Sequence, residues 1–195
     1  HDFVAEALAH GAVAAVVDYI PENVDPERLL MVPDTLTALE DLGRAARGRC
    51  SARVIAITGS VGKSGTREMM SEAFSVLGQT HYSEKNFNDH WGVPLTLCRM
   101  HSGTDFSVVE IGMMAEDELI PLSLQARPHV AVITNCAPAE IPAVGEIFAG
   151  MDANGIAVLN RDIDQFEILK LEATGQGVAK IFTFGTHEQA DARLL

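Results

Sequence analysis

The chain has 195 residues, 47% of them hydrophobic and 21% charged, which suits one full α/β domain plus part of another and excludes a disordered polymer. A formal net charge of −13 with no cluster of Lys and Arg argues against a nucleic-acid partner. No apolar run reaches spanning length and no secretory leader is visible, so membrane insertion is not expected, and Cys50, Cys98 and Cys136 are too scattered for a metal or disulfide framework and fit a reducing, cytoplasmic setting.

The chain opens at His1-Asp2-Phe3 without an initiator methionine, so an earlier natural start is expected. Residues 2–10 place Phe3, Val4, Ala7 and Leu8 on one helical face, with Gly11 as the stop. Ala12–Val17 reads as a short buried strand, 18–28 as a loop punctuated by Pro21 and Pro26, and Leu29–Val32 as a second strand. A helix follows through about Arg47, with Asp34 as its N-cap and Leu36, Leu39 and Leu42 inward. Residues 1–50 are too short for a complete core of their own and read as a partial small α/β domain, with a boundary near 48–52.

Residues 54–66 carry the strongest local signal. Val54-Ile55-Ala56-Ile57 is a buried strand that runs into Thr58-Gly59-Ser60-Val61-Gly62-Lys63-Ser64-Gly65, and helical spacing resumes after it. Strand, glycine-rich turn and helix N-terminus together make a phosphate cradle: Gly59 and Gly62 let backbone N–H groups turn inward toward an anion. Lys63 supplies a positive charge for the outer phosphates, and the Ser64 hydroxyl can ligate Mg²⁺. Ile57 stands where the general pattern has glycine, and a tight structural turn is the competing reading.

Beyond the loop the alternation is regular. A helix is expected over about 64–77 with Met69, Met70, Ala73, Phe74 and Leu77 inward, a short strand at 79–83, and a helix at 92–100. Phe106–Ile111 reads as a strand, Glu116–Gln125 as a helix, Val130–Thr134 as a strand and Glu146–Met151 as a short helix. Ile156–Asn160, a helix over about 162–174 and a last strand at Ala179–Phe184 complete the series. The expected class is α/β: a P-loop domain over 51–195 whose mostly parallel sheet is flanked by helices, preceded by the partial small domain.

Several stretches then fall in one order: Thr58–Ser64, Asn86-Phe87-Asn88-Asp89-His90-Trp91-Gly92-Val93-Pro94-Leu95-Thr96-Leu97, Val109–Met113, Arg127–Asn135, Gly145–Gly150 and Val158–Asp162. This series resembles the central ATP-binding domain of the peptidoglycan Mur ligases, most closely the branch that adds a dipeptide, and Phe3–Val17 resembles the end of that family's UDP-binding domain. The resemblance implies ATP and Mg²⁺ as cofactors, with UDP-N-acetylmuramoyl-tripeptide and D-alanyl-D-alanine as substrates. ATP would phosphorylate a carboxylate to an acyl phosphate, and an amine would then displace the phosphate. It further implies Lys63 as the β/γ-phosphate clamp, Ser64 and Glu110 as metal ligands, and Asn88 and Asp89 beside the nucleotide. On spacing alone Glu110 is an acid at a strand end, and Asn88 and Asp89 are turn formers; His90 and Trp91 receive no role.

The chain also departs from the family pattern. Met114-Ala115 replace an Asn-His pair, Glu140 stands where a histidine is expected, and no lysine lies between Lys85 and Lys170 to supply the family's carbamoylated residue. The Ala139–Gly145 segment is short. Either a mobile stretch of the natural protein is missing there, or the second metal site is degenerate, with Glu140 as a possible oxygen ligand. The family's C-terminal domain is expected to follow Leu195, and without it the chain is expected to bind nucleotide weakly and not to complete ligation. A sibling ligase, a folylpolyglutamate synthetase relative and a non-catalytic nucleotide-binding module stay open as alternatives.

Overall fold

The computed structural model describes residues 1–112 and 116–195, so Met114 and Ala115 lie outside the described residues. The first fifty residues form α1 (Val4–Ala9), the parallel pair β1 (Ala15–Val17) and β2 (Leu29–Met31), and α2 (Thr35–Gly48). The expected loop before β2 contains one 3₁₀ turn, Pro26–Arg28, started by the Asp25 carboxylate accepting the Glu27 N–H. Asp34 caps α2 as expected: its Oδ1 accepts the Thr37 N–H at 2.7 Å.

Leu42 is half exposed rather than inward. The inner face of α2 instead runs through Gly43, Ala46 and Arg47 and packs on α4 (Gly92–Cys98) and α5 (Leu119–Ala126). At Gly43 a Cβ would already stand 3.1 Å from the Pro94 backbone, so the two helices meet closely there. Arg47, nearly buried, donates to the carbonyls of Ala126, Cys50 and Arg127 and fastens α2 to the second unit.

That unit is a seven-stranded parallel sheet in the order β4-β5-β3-β6-β7-β8-β9. Its strands are β3 (Arg53–Thr58), β4 (Thr80–Tyr82), β5 (Phe106–Glu110), β6 (Val130–Ile133), β7 (Ile156–Asn160), β8 (Lys180–Gly185) and β9 (Ala192–Arg193). The remaining helices are α3 (Lys63–Ser75), α6 (Ile141–Gly145) and α7 (Phe166–Gly175). β3 is buried on both faces: Val54 and Ala56 join the large core with Leu97, Leu119, Phe148 and Leu169, while Ile55 and Ile57 face Val108, Val132, Met70 and Phe74. This two-sided burial explains the unbroken apolar run in the sequence.

Three expectations are revised. The buried face of α3 is Arg67, Met70, Ser71 and Phe74, whereas Met69, Ala73 and Leu77 face outward. The phase is turned because Arg67 reaches inward to a buried carboxylate. The expected helix at 146–151 is a 3₁₀ turn, Glu146–Gly150, directly after α6. β9, two residues long and paired to β8, carried no pattern long enough to read.

Candidate functional site

From β3 the chain runs out to β4, returns to β5 beside β3, then crosses β3 to reach β6. The carboxyl end of β3 is therefore a topological switch point, where parallel α/β sheets open a crevice. Thr58 ends β3, fully buried, and Gly59–Gly62 turn into α3, whose first turn holds Lys63, Ser64 and Gly65. Gly59 lies at φ +135° and Gly62 at φ +86°, conformations that L side chains resist. A Cβ on Gly59 would stand 2.4 Å from Thr134 Oγ1 and 2.6 Å from the Asn135 carbonyl oxygen, so the turn is pressed against the end of β6.

The loop is braced from β6. Thr134 donates its hydroxyl to the Val61 carbonyl at 2.6 Å, and the Ser60 N–H donates to the Asn135 carbonyl at 3.0 Å. Asn160, at the end of β7, donates to the Thr134 carbonyl at 3.1 Å. Lys63 curls over the loop, its Nζ 2.6 Å from the Gly59 carbonyl oxygen. Glu140, in the turn after β6, accepts hydrogen bonds from the Ser60 hydroxyl and the Ala137 N–H. Those two donors, with Lys63 nearby, hold its carboxyl below the ordinary value, so a resident negative charge borders the loop.

Glu110 closes the other side from the end of β5. It is 2% exposed. Its Oε1 accepts from Ser64 Oγ at 3.2 Å and from Asn88 Nδ2 at 2.8 Å. Its Oε2, without a hydrogen bond among the described residues, faces Arg67 Nη1 at 3.4 Å. Asn88 thus touches the carboxylate directly. Asp89 performs turn chemistry, its Oδ1 accepting the Trp91 and Gly92 N–H groups at 3.0 and 2.7 Å at the start of α4. Both also line a cavity of about 490 Å³ with Lys63, His90, Gly112 and Glu40 of α2, within the size range of small-molecule sites. His90 and Trp91 stack obliquely on each other, ring centroids 5.9 Å apart.

The residues present fit both groups implied by the loop. The turn supplies a glycine-rich backbone at a helix N-terminus and one ammonium for phosphates. A hydroxyl and a buried carboxylate oxygen 3.2 Å apart form a hard-oxygen pair suited to Mg²⁺. Among the described residues no group of three or more His, Cys, Asp and Glu could hold a metal by itself, in keeping with an ion that shares its coordination with substrate phosphates. Sequence reasoning missed Arg67, Thr134 and Asn160. The first lay within the expected helix at 64–77 with no role assigned, and the other two were seen only as parts of strand-end motifs without a role.

Comparison with known proteins places this geometry. The family model described as the Mur ligase middle domain matches residues 57–194. The UDP-N-acetylmuramoyl-tripeptide--D-alanyl-D-alanine ligase of Escherichia coli (strain K12) is 37% identical over 172 residues, covering 83% of this chain and 38% of that protein. A crystal structure of MurF from Acinetobacter baumannii superposes with a TM-score of 0.84 at 29% identity, over 98% of this chain and 43% of that one. MurF from Thermotoga maritima, solved in complex with ADP, gives 0.77 at 27% identity, over 96% of this chain and 44% of that one. This chain therefore spans less than half the length of each of these relatives. With the match covering most of its length and the phosphate loop, Asn88 and Glu110 converging at the switch point, the chain belongs to the Mur ligase family, whose middle domain it carries.

Proposed function

We propose that this chain is the ATP-binding part of a ligase that joins D-alanyl-D-alanine to UDP-N-acetylmuramoyl-tripeptide in the cytoplasm, during peptidoglycan precursor synthesis. The observation that carries this reading is the convergence of Lys63, Ser64, Asn88 and Glu110 at the carboxyl ends of β3 and β5. The similarity to the E. coli ligase, whose name carries both substrates, supports this choice of substrates. In this reading residues 1–50 are the remnant of a UDP-substrate domain and 51–195 the ATP-binding domain, with α2 as the joint between them.

The reaction requires negative charge on a transferring phosphoryl group to be neutralised while two anions are held together. Thr58–Gly65 would hold the phosphates, and Lys63, released from the Gly59 carbonyl, would clamp the outer ones. Ser64 and Glu110 would hold Mg²⁺, which supplies charge neutralisation when bound. Asn88 keeps Oε1 of Glu110 turned toward Ser64.

Calorimetric titration with Mg²⁺ and a non-hydrolysable ATP analogue tests the site. Removing the Lys63 ammonium deletes a charge-assisted contact worth about 1.5–3 kcal/mol. Lys63→Ala is therefore expected to weaken binding by roughly ten- to a hundredfold. Equal affinity of the variant and the unmodified chain refutes the assignment.

A further inference from the structure

Arg67 lies one turn beyond Lys63 on the buried side of α3, and its side chain is 6% exposed. Three contacts fix its guanidinium: Nη1 donates to the Lys85 carbonyl at 2.5 Å and faces Glu110 Oε2 at 3.4 Å, and Nη2 donates to Glu68 Oε1 at 3.1 Å. Lys85 belongs to the connection that carries Asn88, and its own backbone is left-handed, at φ +48°. One buried cation thus touches both the acidic wall of the site and the loop that delivers the amide to that wall.

The two oxygens of Glu110 are divided between two tasks. Oε1 collects Ser64 and Asn88, while Oε2 has no hydrogen bond among the described residues and stands 3.4 Å from Arg67 Nη1. A carboxylate tethered at one oxygen can swing about its Cγ–Cδ bond; one faced by a guanidinium at the other cannot do so without leaving a buried charge uncompensated. We propose that Arg67 is a positioning residue: it pins Oε2 of Glu110 and the Lys85 end of the Asn88 loop, so that Oε1 stays turned toward Ser64 for a divalent cation. The planar fork suits this double contact, whereas a lysine ammonium is a point charge that serves one partner at a time. This rests on the reading of Ser64 and Glu110 as cation ligands, and it adds a residue that touches neither nucleotide nor metal.

The test is ADP binding by calorimetry, once with Mg²⁺ and once with a chelator, on the unmodified chain, Arg67→Met and Arg67→Lys. Circular dichroism checks that each is folded. The expected result is that Arg67→Met cuts the Mg²⁺-dependent gain in affinity by about tenfold or more and leaves chelator affinity unchanged, with Arg67→Lys intermediate. A gain kept intact in Arg67→Met overturns the inference. So does an equal loss in both buffers, which marks a purely structural role. Should Arg67→Met fail to fold, Arg67→Lys carries the same criteria. An unmodified chain that binds ADP but gains nothing from Mg²⁺ instead removes the cation reading of Ser64 and Glu110, and this inference with it.

Discussion

The same substitution, glycine to alanine, is expected to act in opposite directions at Gly59 in the turn after β3 and at Gly65 in the first turn of α3. At Gly59 the added methyl meets Thr134 Oγ1 at 2.4 Å and the Asn135 carbonyl oxygen at 2.6 Å. Neither neighbour can yield cheaply, because the first is bonded to the Val61 carbonyl and the second to the Ser60 N–H. The backbone there also sits at φ +135°. Strain of ~1–3 kcal/mol and overpacking of ~1–3 kcal/mol give a loss of roughly 2–6 kcal/mol, a large part of a stability of ~5–15 kcal/mol. At Gly65, in the first turn of α3, a Cβ meets nothing within 4 Å. Alanine there gains up to ~1 kcal/mol of helix propensity and keeps its backbone N–H.

Thermal unfolding reads both effects. A chain of this size moves by ~2–4 °C per kcal/mol, so Gly59→Ala is expected to melt roughly 5–20 °C lower and to lose nucleotide binding. Gly65→Ala is expected to melt up to about 4 °C higher and to keep it. A Gly59→Ala protein that melts and binds like the unmodified chain refutes the account of the loop as pressed against β6. A Gly65→Ala protein that melts well below it refutes the account of open space above α3.

Glu146 shows how the Gly-Glu-Ile-Phe stretch works: Oε1 accepts the Asp117 N–H at 2.6 Å, and Oε2 accepts the Leu119 and Ile120 N–H groups at 3.0 and 3.2 Å, so it caps α5 from a distant turn. Glu146→Ala is expected to cost about 1–3 kcal/mol in urea denaturation, with Glu146→Gln recovering part; an unchanged midpoint in the alanine variant refutes the capping role. Burial holds the pKa of His81 and of His129 below the ordinary 6.5. Glu84, His101 and Arg99 surround His81, and Arg47, Arg53 and Asp152 surround His129. A base depressed in the folded state leaves the unfolded chain binding more protons. The stability these residues contribute is then complete above 6.5 and is lost as pH falls through the folded values. Denaturation between about pH 7.5 and 5.5 is expected to show that decline, flattened in the double variant His81→Gln, His129→Gln; a flat profile in the unmodified chain contradicts it.

Local chemistry made much of this molecule readable. β3 announced itself because a strand buried on both faces is apolar at every step, and Asp34 because an N-cap acts within three residues of itself. The turn between β3 and α3 was readable because Gly59, Gly62 and Lys63 are neighbours in sequence. What stayed hidden depends on distant partners. On α3 Met70 and Phe74 point inward as expected, but Met69, Ala73 and Leu77 do not, because the phase is set by Arg67 reaching Glu110, a partner that no local pattern reveals. α5 starts at Leu119 rather than Glu116, where Glu146 satisfies its first N–H groups from another segment. Thr134 and Asn160 brace the loop through contacts that no spacing rule along the chain connects.

The parallel order of the sheet has a consequence for how the protein is made. β3 has no hairpin partner: Arg53 pairs with Phe106 and Ile55 with Val130. At translation rates of ~5–20 residues per second, the strand under the phosphate loop waits on the order of 4–15 s for β6 to be made. Throughout that interval Val54–Ile57 keeps at least one apolar edge unpaired, the kind of segment that invites aggregation. The strand that anchors the site is thus made first in its sheet but protected only after its neighbours on both sides have arrived.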